Sequence, residues 1–113
     1  ERERFYLTLA RLAALFAGQG LVVLVAATAN LRAYRERARE LAPRFVEVWV
    51  NVGLDECRRR DTKGLYAAFG RGELRSVPGE DAAYEPPAAP DVTALGGRDE
   101  AAIGAVLDLL RAR

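Results

Sequence analysis

Arg58, Arg59, Arg60 and Lys63 crowd positive charge into the run Leu54-Asp55-Glu56-Cys57-Arg58-Arg59-Arg60-Asp61-Thr62-Lys63-Gly64-Leu65-Tyr66. Cations so grouped suit phosphoryl transfer, in which catalysis rests on positioning and on compensating the charge shared by donor and acceptor. Such chemistry also needs backbone donors around the phosphates and a cover that excludes water. A plainer reading competes: three arginines ending a short helix are solvated and interact favourably with its dipole. Taken alone, the cluster fits that plainer reading better, because charged residues are mostly surface residues. Cys57 sits beside the arginines on a predicted helix with apolar Leu54, where a small core residue is a commoner role than a nucleophile.

Composition narrows the partners. With 17 basic and 16 acidic residues the formal charge is +1, which creates no global field to recruit nucleic acid or an anionic membrane. One cysteine and no histidine leave neither an internal disulfide nor a familiar transition-metal site, and a reducing cytoplasm is the expected setting. The longest apolar run, Leu21 to Ala27, is far short of a membrane span. At 113 residues, half of them apolar, the chain can bury one modest core, so a single domain over 1–113 is expected. The chain opens on Glu1 rather than Met and runs straight into a helical pattern, so further residues are expected upstream.

The elements that must position any site follow from periodicity. Phe5, Leu9, Leu12, Ala13 and Phe16 share one face of an amphipathic helix that should end near Gly18-Gln19-Gly20. Leu21-Val22-Val23-Leu24-Val25 reads as a strand buried on both faces, hence parallel. Asn30 is placed to cap a second helix with Leu31, Tyr34, Ala38 and Leu41 on its inner face and Pro43 beyond its end. Phe45 to Val52 should be a second strand, with Val46, Val48, Val50 and Val52 on one side and Phe45 and Trp49 on the other. Short helices are expected over Gly53 to Arg60 and around Gly64 to Gly70. From Gly70 to Pro90 periodicity vanishes and a long loop is expected, a length that in compact domains is usually functional. Asp91 to Leu95 could form a third short strand, followed by a Gly96-Gly97 turn. A last helix should start near Asp99 and bury Ile103, Val106, Leu107 and Leu110. The order implies an α/β fold with a parallel sheet flanked by helices.

The run Leu54 to Tyr66, with Gly79-Glu80-Asp81-Ala82-Ala83-Tyr84-Glu85-Pro86-Pro87 after it, resembles the lid segment of adenylylsulfate kinases, written L-x-x-C-x-x-R-D-x-K-G-L-Y followed by G-x-D-x-x-Y-E-x-P. The likeness extends over nearly the whole chain. Arg2 falls on the arginine of D-R-x-E-N, and Phe16-Ala17-Gly18-Gln19-Gly20 lies over the end of L-F-A-D-A-G. Leu24 to Arg32 lies over L-V-S-F-I-S-P-F-R, with Ala38-Arg39-Glu40 on the A-R-E that follows. The resemblance implies a three-layer P-loop kinase fold, here its C-terminal part without the first strand and the G-x-x-x-x-G-K-[ST] loop, a motif absent from these residues. It implies a lid and substrate loop over about 58–90. It also implies ATP and Mg²⁺ as cofactors, held through that phosphate loop, with the catalytic residues upstream of Glu1 and no metal ligand in this chain.

By the same resemblance, Arg60 and Gly97 belong to the nucleotide side. Arg2, Phe5, Thr28, Ala29, Leu31, Arg32, Lys63, Ser76 and Val77 belong to the acceptor side. Departures from the family pattern gather there. Phe5 stands where the family has asparagine, and Ala29 where it has a serine sometimes described as a phosphorylation site. Thr28 is a poor substitute for that hydroxyl, since one residue along a strand points to the opposite face. Pro78 replaces a threonine and removes a backbone donor. Leu31 and Val77 replace two phenylalanines that sandwich the adenine. Stacking on an aromatic ring is worth about 1–3 kcal/mol per base, so losing both rings costs roughly 2–6 kcal/mol, or about one to four decades of affinity.

The resemblance implies transfer of the γ-phosphoryl group of ATP to the 3′-hydroxyl of adenylylsulfate, in sulfate assimilation. Two alternatives stand beside it: a kinase of this fold with a different small-molecule acceptor, and a non-catalytic, degenerate kinase domain. A nucleotide substrate is the expected partner, with a second copy of the chain or fusion to a sulfate-activating enzyme as further expectations.

Overall fold

The computed structural model describes residues 1–52 and 84–112. Helix α1 spans Arg2–Gly18, α2 Arg32–Leu41 and α3 Glu100–Arg111; strand β1 is Val48–Val50 and β2 Val92–Ala94. The strands pair in parallel, with Val48 opposite Val92, Trp49 opposite Thr93 and Val50 opposite Ala94. Hydrogen bonds run past both ends of the ladder: the Glu47 carbonyl accepts from the amides of Asp91 (2.9 Å) and Val92 (3.1 Å), and Asn51 N–H donates to the Ala94 carbonyl (2.8 Å). Helix α3 packs on β2, where Val92, Ala94 and Ala102 form a small core that Val106 flanks. Helices α1 and α2 pack on one another.

The expected first helix ends where the sequence places it. Gly20, at φ +92°, takes the left-handed turn that a side chain would strain, and its amide donates to the Ala17 carbonyl while Gln19 N–H donates to Phe16. Helix α2 ends at Leu41, ahead of Pro43, with Ala42 already extended. Asp91 to Leu95 holds β2 as expected.

Three expectations are corrected. Leu21 to Val25 belongs to no ladder among the described residues, and its side chains are largely open, Leu24 at 85% exposure. A β-favouring run becomes a strand only when a neighbour takes its backbone groups. Second, Asn30 does not cap α2. The capping position is Leu31, without a side-chain cap, and Asn30 is buried behind it. Third, the buried residue of α3 is Ala102, while Ile103 and Leu107 stay exposed, because the helix meets β2 with its small-residue edge. The expected short helices and most of the long loop fall outside the described residues. Among the described residues no helix is long and apolar enough to cross a membrane.

Asp99 fulfils the expected helix start. Its Oδ1 accepts from Ala102 N–H at 3.1 Å and its Oδ2 from Leu95 N–H at 2.9 Å, tying the end of β2 to α3. These backbone donors, Leu95 foremost and then Ala102, favour the ionised carboxylate and hold its pKa below the ordinary value of 3.8. A carboxylate whose pKa is lowered by folding contributes stability above its unfolded pKa and loses it as pH falls through the folded one. Asp99→Ala should therefore lower Tm at neutral pH, and the gap from the parent protein should narrow below about pH 4, as thermal melts at stepped pH would record.

Candidate functional site

The turn from Thr28 to Arg32 joins the exposed stretch after α1 to the start of α2. Ala29 there has φ +41°, the left-handed region, which costs a non-glycine residue roughly 1–2 kcal/mol. Its surroundings hold it there. Tyr6 Oη accepts from Ala29 N–H at 3.0 Å, and Arg35 Nη1 donates to the Ala29 carbonyl at 2.7 Å. The Tyr6 ring stacks on Tyr34 of α2, 4.8 Å between centroids, and Phe5 meets Tyr6 edge-on at 5.1 Å. Aromatic contact thus brings the first turns of α1 and α2 together at this turn.

A second clasp comes from the far end of the chain. Glu85 Oε1 accepts from the backbone N–H of Arg32 at 2.7 Å, and Glu85 N–H donates to the Asn30 carbonyl at 2.8 Å. A carboxylate at this place satisfies an orphan amide of α2 and faces the positive end of its dipole. Arg32 Nε donates to the Pro86 carbonyl at 2.8 Å, which sets the direction of that side chain.

Arg35 is the hub, with its side chain only 11% exposed. Besides Ala29 it donates through Nη2 to the Glu85 carbonyl. Its Nε lies 3.1 Å from Glu47 Oε2, but the N–H does not point along that line, so the contact is an ion pair rather than a hydrogen bond. The Tyr84 ring lies 5.4 Å from the guanidinium carbon. Arg39, further out, reaches Asp91 at 3.2 Å and Glu47 at 3.7 Å, with Phe45 beneath it at 4.8 Å. Asp91 Oδ2 also accepts from Glu47 N–H at 2.7 Å. These groups line an open hollow of about 420 Å³ in which arginines and carboxylates largely neutralise one another.

Of the residues assigned from sequence, Ala29, Leu31 and Arg32 lie on this turn. Phe5 reaches it through Tyr6, although its ring is 60% exposed. Arg2 opens α1 and is exposed, as is Thr28. Because Ala29 is left-handed rather than extended, the alternation used to dismiss the Thr28 hydroxyl does not hold here. Gly97 lies in the turn between β2 and α3 with open space around it. Arg60, Lys63, Ser76 and Val77, with Cys57 and Tyr66, fall outside the described residues. Among the described residues no group of three or more Cys, His, Asp or Glu could hold a metal ion. Periodicity missed Tyr6, Arg35 and Glu47. A signal existed for Glu47: it shares a strand face with Phe45 and Trp49, where a carboxylate needs a partner.

The family model described as adenylylsulphate kinase matches residues 1–94. The chain is 46% identical over 88 residues to an adenylyl-sulfate kinase of Vibrio cholerae, covering 76% of this chain and 41% of that protein. It is 52% identical over 75 residues to the bifunctional enzyme NodQ of Azospirillum brasilense, covering 65% of this chain and 12% of that protein. It thus spans less than half the length of either. Among solved structures, the Mycobacterium tuberculosis APS kinase in complex with AMPPNP and APS superimposes with a TM-score of 0.86 at 36% identity, covering 98% of this chain and 67% of that one.

The burial of the two ion pairs separates their energetic weight. Arg35→Met takes the nearer cation from Glu47, leaving it the longer contact with Arg39, and removes the guanidinium from two carbonyls; it should cost about 3 kcal/mol, the low end for breaking a buried pair. Arg39→Met, at a half-exposed guanidinium, should cost less than about 1 kcal/mol. Urea unfolding of both variants measures the difference.

Proposed function

Since the chain belongs to the adenylylsulphate kinase family and has its P-loop kinase α/β fold, we propose that it supplies the acceptor side of an enzyme that phosphorylates the 3′-hydroxyl of adenylylsulfate. The reaction breaks the bond from the γ-phosphorus of ATP to the oxygen that leaves with ADP and forms one to the 3′-oxygen, whose proton passes to a base. ATP with Mg²⁺, held by a phosphate loop outside these residues, supplies the phosphoryl group. The observation that carries this reading is the built turn at 29–32, whose shape is over-determined by Tyr6, Arg35 and Glu85 and whose Arg32 side chain is aimed by the Pro86 carbonyl.

In this reading Arg2 and Arg32 compensate charge on the acceptor, and Lys63 and Arg60 compensate the charge shared with the donor. Leu31, Ser76 and Val77 flank the base, Phe5, Thr28 and Ala29 complete the acceptor wall, and Gly97 lies toward the nucleotide. The base is held without the two rings usual in the family, so the affinity for adenylylsulfate is low. The exposed Phe5 ring and the aliphatic Leu31 favour a second reading, in which the acceptor is a less polar alcohol or another nucleotide.

A coupled ADP-release assay on the intact protein should show turnover with adenylylsulfate, and silence at every acceptor concentration would reject the assignment. Leu31→Phe should lower KM for adenylylsulfate about tenfold by restoring one stacking surface. If a different alcohol or nucleotide outpaces adenylylsulfate in kcat/KM, the second reading replaces the first.

A further inference from the structure

Side chains from α1, from α2 and from the segment at Glu85 converge on the 29–32 turn, and all of them take backbone atoms. Tyr6 Oη holds the Ala29 amide, Arg35 Nη1 the Ala29 carbonyl, and Glu85 Oε1 the Arg32 amide. An α2 start needing only a cap would be served by a local Ser or Asp; here the carboxylate comes from Glu85, and the same segment turns Arg32 through Pro86. Arg35 joins the two sides, touching both the Ala29 and Glu85 carbonyls while Glu47 anchors it beside β1.

We propose that Glu85 and Arg35 are positioning residues that fix the shape of the 29–32 turn and the aim of Arg32, and thereby set the affinity for a nucleotide acceptor without touching it. The proposal deepens the phosphotransferase reading and rests on it for the identity of the acceptor. A turn that carries a left-handed alanine relaxes when its outer holds are removed, and Arg32 then samples directions that do not meet the acceptor. The clasp holds backbone atoms of the 29–32 turn, so its loss should act on the acceptor rather than on the binding of ATP.

In the intact protein, Glu85→Ala should raise KM for adenylylsulfate about tenfold, the weight of one charge-assisted hydrogen bond, and leave KM for ATP unchanged. Hydrogen exchange at the Arg32 amide, followed by NMR, should speed up in the same variant. Glu85→Gln keeps an oxygen acceptor at that place and should restore both values toward those of the parent. Glu40→Ala, which breaks only the exposed pair with Arg37 on α2, should leave both unchanged. If Glu85→Ala does not fold, Glu85→Asp, whose carboxylate falls one methylene short, takes its place in the same measurements. The proposal is overturned if Arg32 exchange does not respond, or if the KM values for ATP and adenylylsulfate rise together. If the parent protein forms no ADP with adenylylsulfate, the phosphotransferase reading fails by itself. Exchange at Arg32 then decides the clamp: faster exchange on Glu85→Ala with recovery on Glu85→Gln upholds it, and no change sinks it.

Discussion

One guanidinium sets the geometry on which the described structure depends. Arg35 is largely shielded from water, and a shielded cation must find acceptors. It finds them on three separate segments: the neighbouring 29–32 turn, the approach to β1 at Glu47, and the stretch at Glu85. Because each contact is made by a different part of one planar group, the segments cannot shift independently. Among the described residues the hydrophobic cluster at the sheet is small, Val92, Ala94 and Ala102 with Val106 beside them. Polar connection therefore does much of the positioning that apolar packing does in larger domains.

A strained turn and a polar clasp are often found together where a protein binds something. The left-handed Ala29 is tolerated because Tyr6 and Arg35 occupy its amide and its carbonyl. The same residues link α1 to α2 through the stacked Tyr6 and Tyr34 rings. Ala29 and Leu31 lie on the turn itself, and Phe5 reaches it from α1 through Tyr6.

Local pattern made much of this legible. The 3.6-residue spacing of Leu9, Ala13 and their neighbours located α1, Gly20 marked its end, and Asp99 marked the start of α3, all interactions between residues close in sequence. The lid-like run and the Tyr84-Glu85-Pro86-Pro87 block identified the family. What stayed hidden was non-local. Leu21 to Val25 has strand composition, yet pairing is a property of two segments. Arg32, Arg35, Arg37 and Arg39 are alike in type on a single helix, and only the placement of Glu47 and Glu85 selects Arg35 as the one drawn inside. The amide at the start of α2 is satisfied by Glu85, a partner 53 residues from Arg32 that no local pattern around Asn30 could reveal.

The backbone sign at Ala29 limits how this position can change. With φ at +41°, a Val, Ile or Thr would press its branched Cβ against the adjoining carbonyl, whereas Gly, Asn, Asp or Ser would fit. Drift at residue 29 is thus confined by the Ramachandran map to a short alphabet of small or locally hydrogen-bonding residues, and a return to a hydroxyl would come through serine rather than threonine.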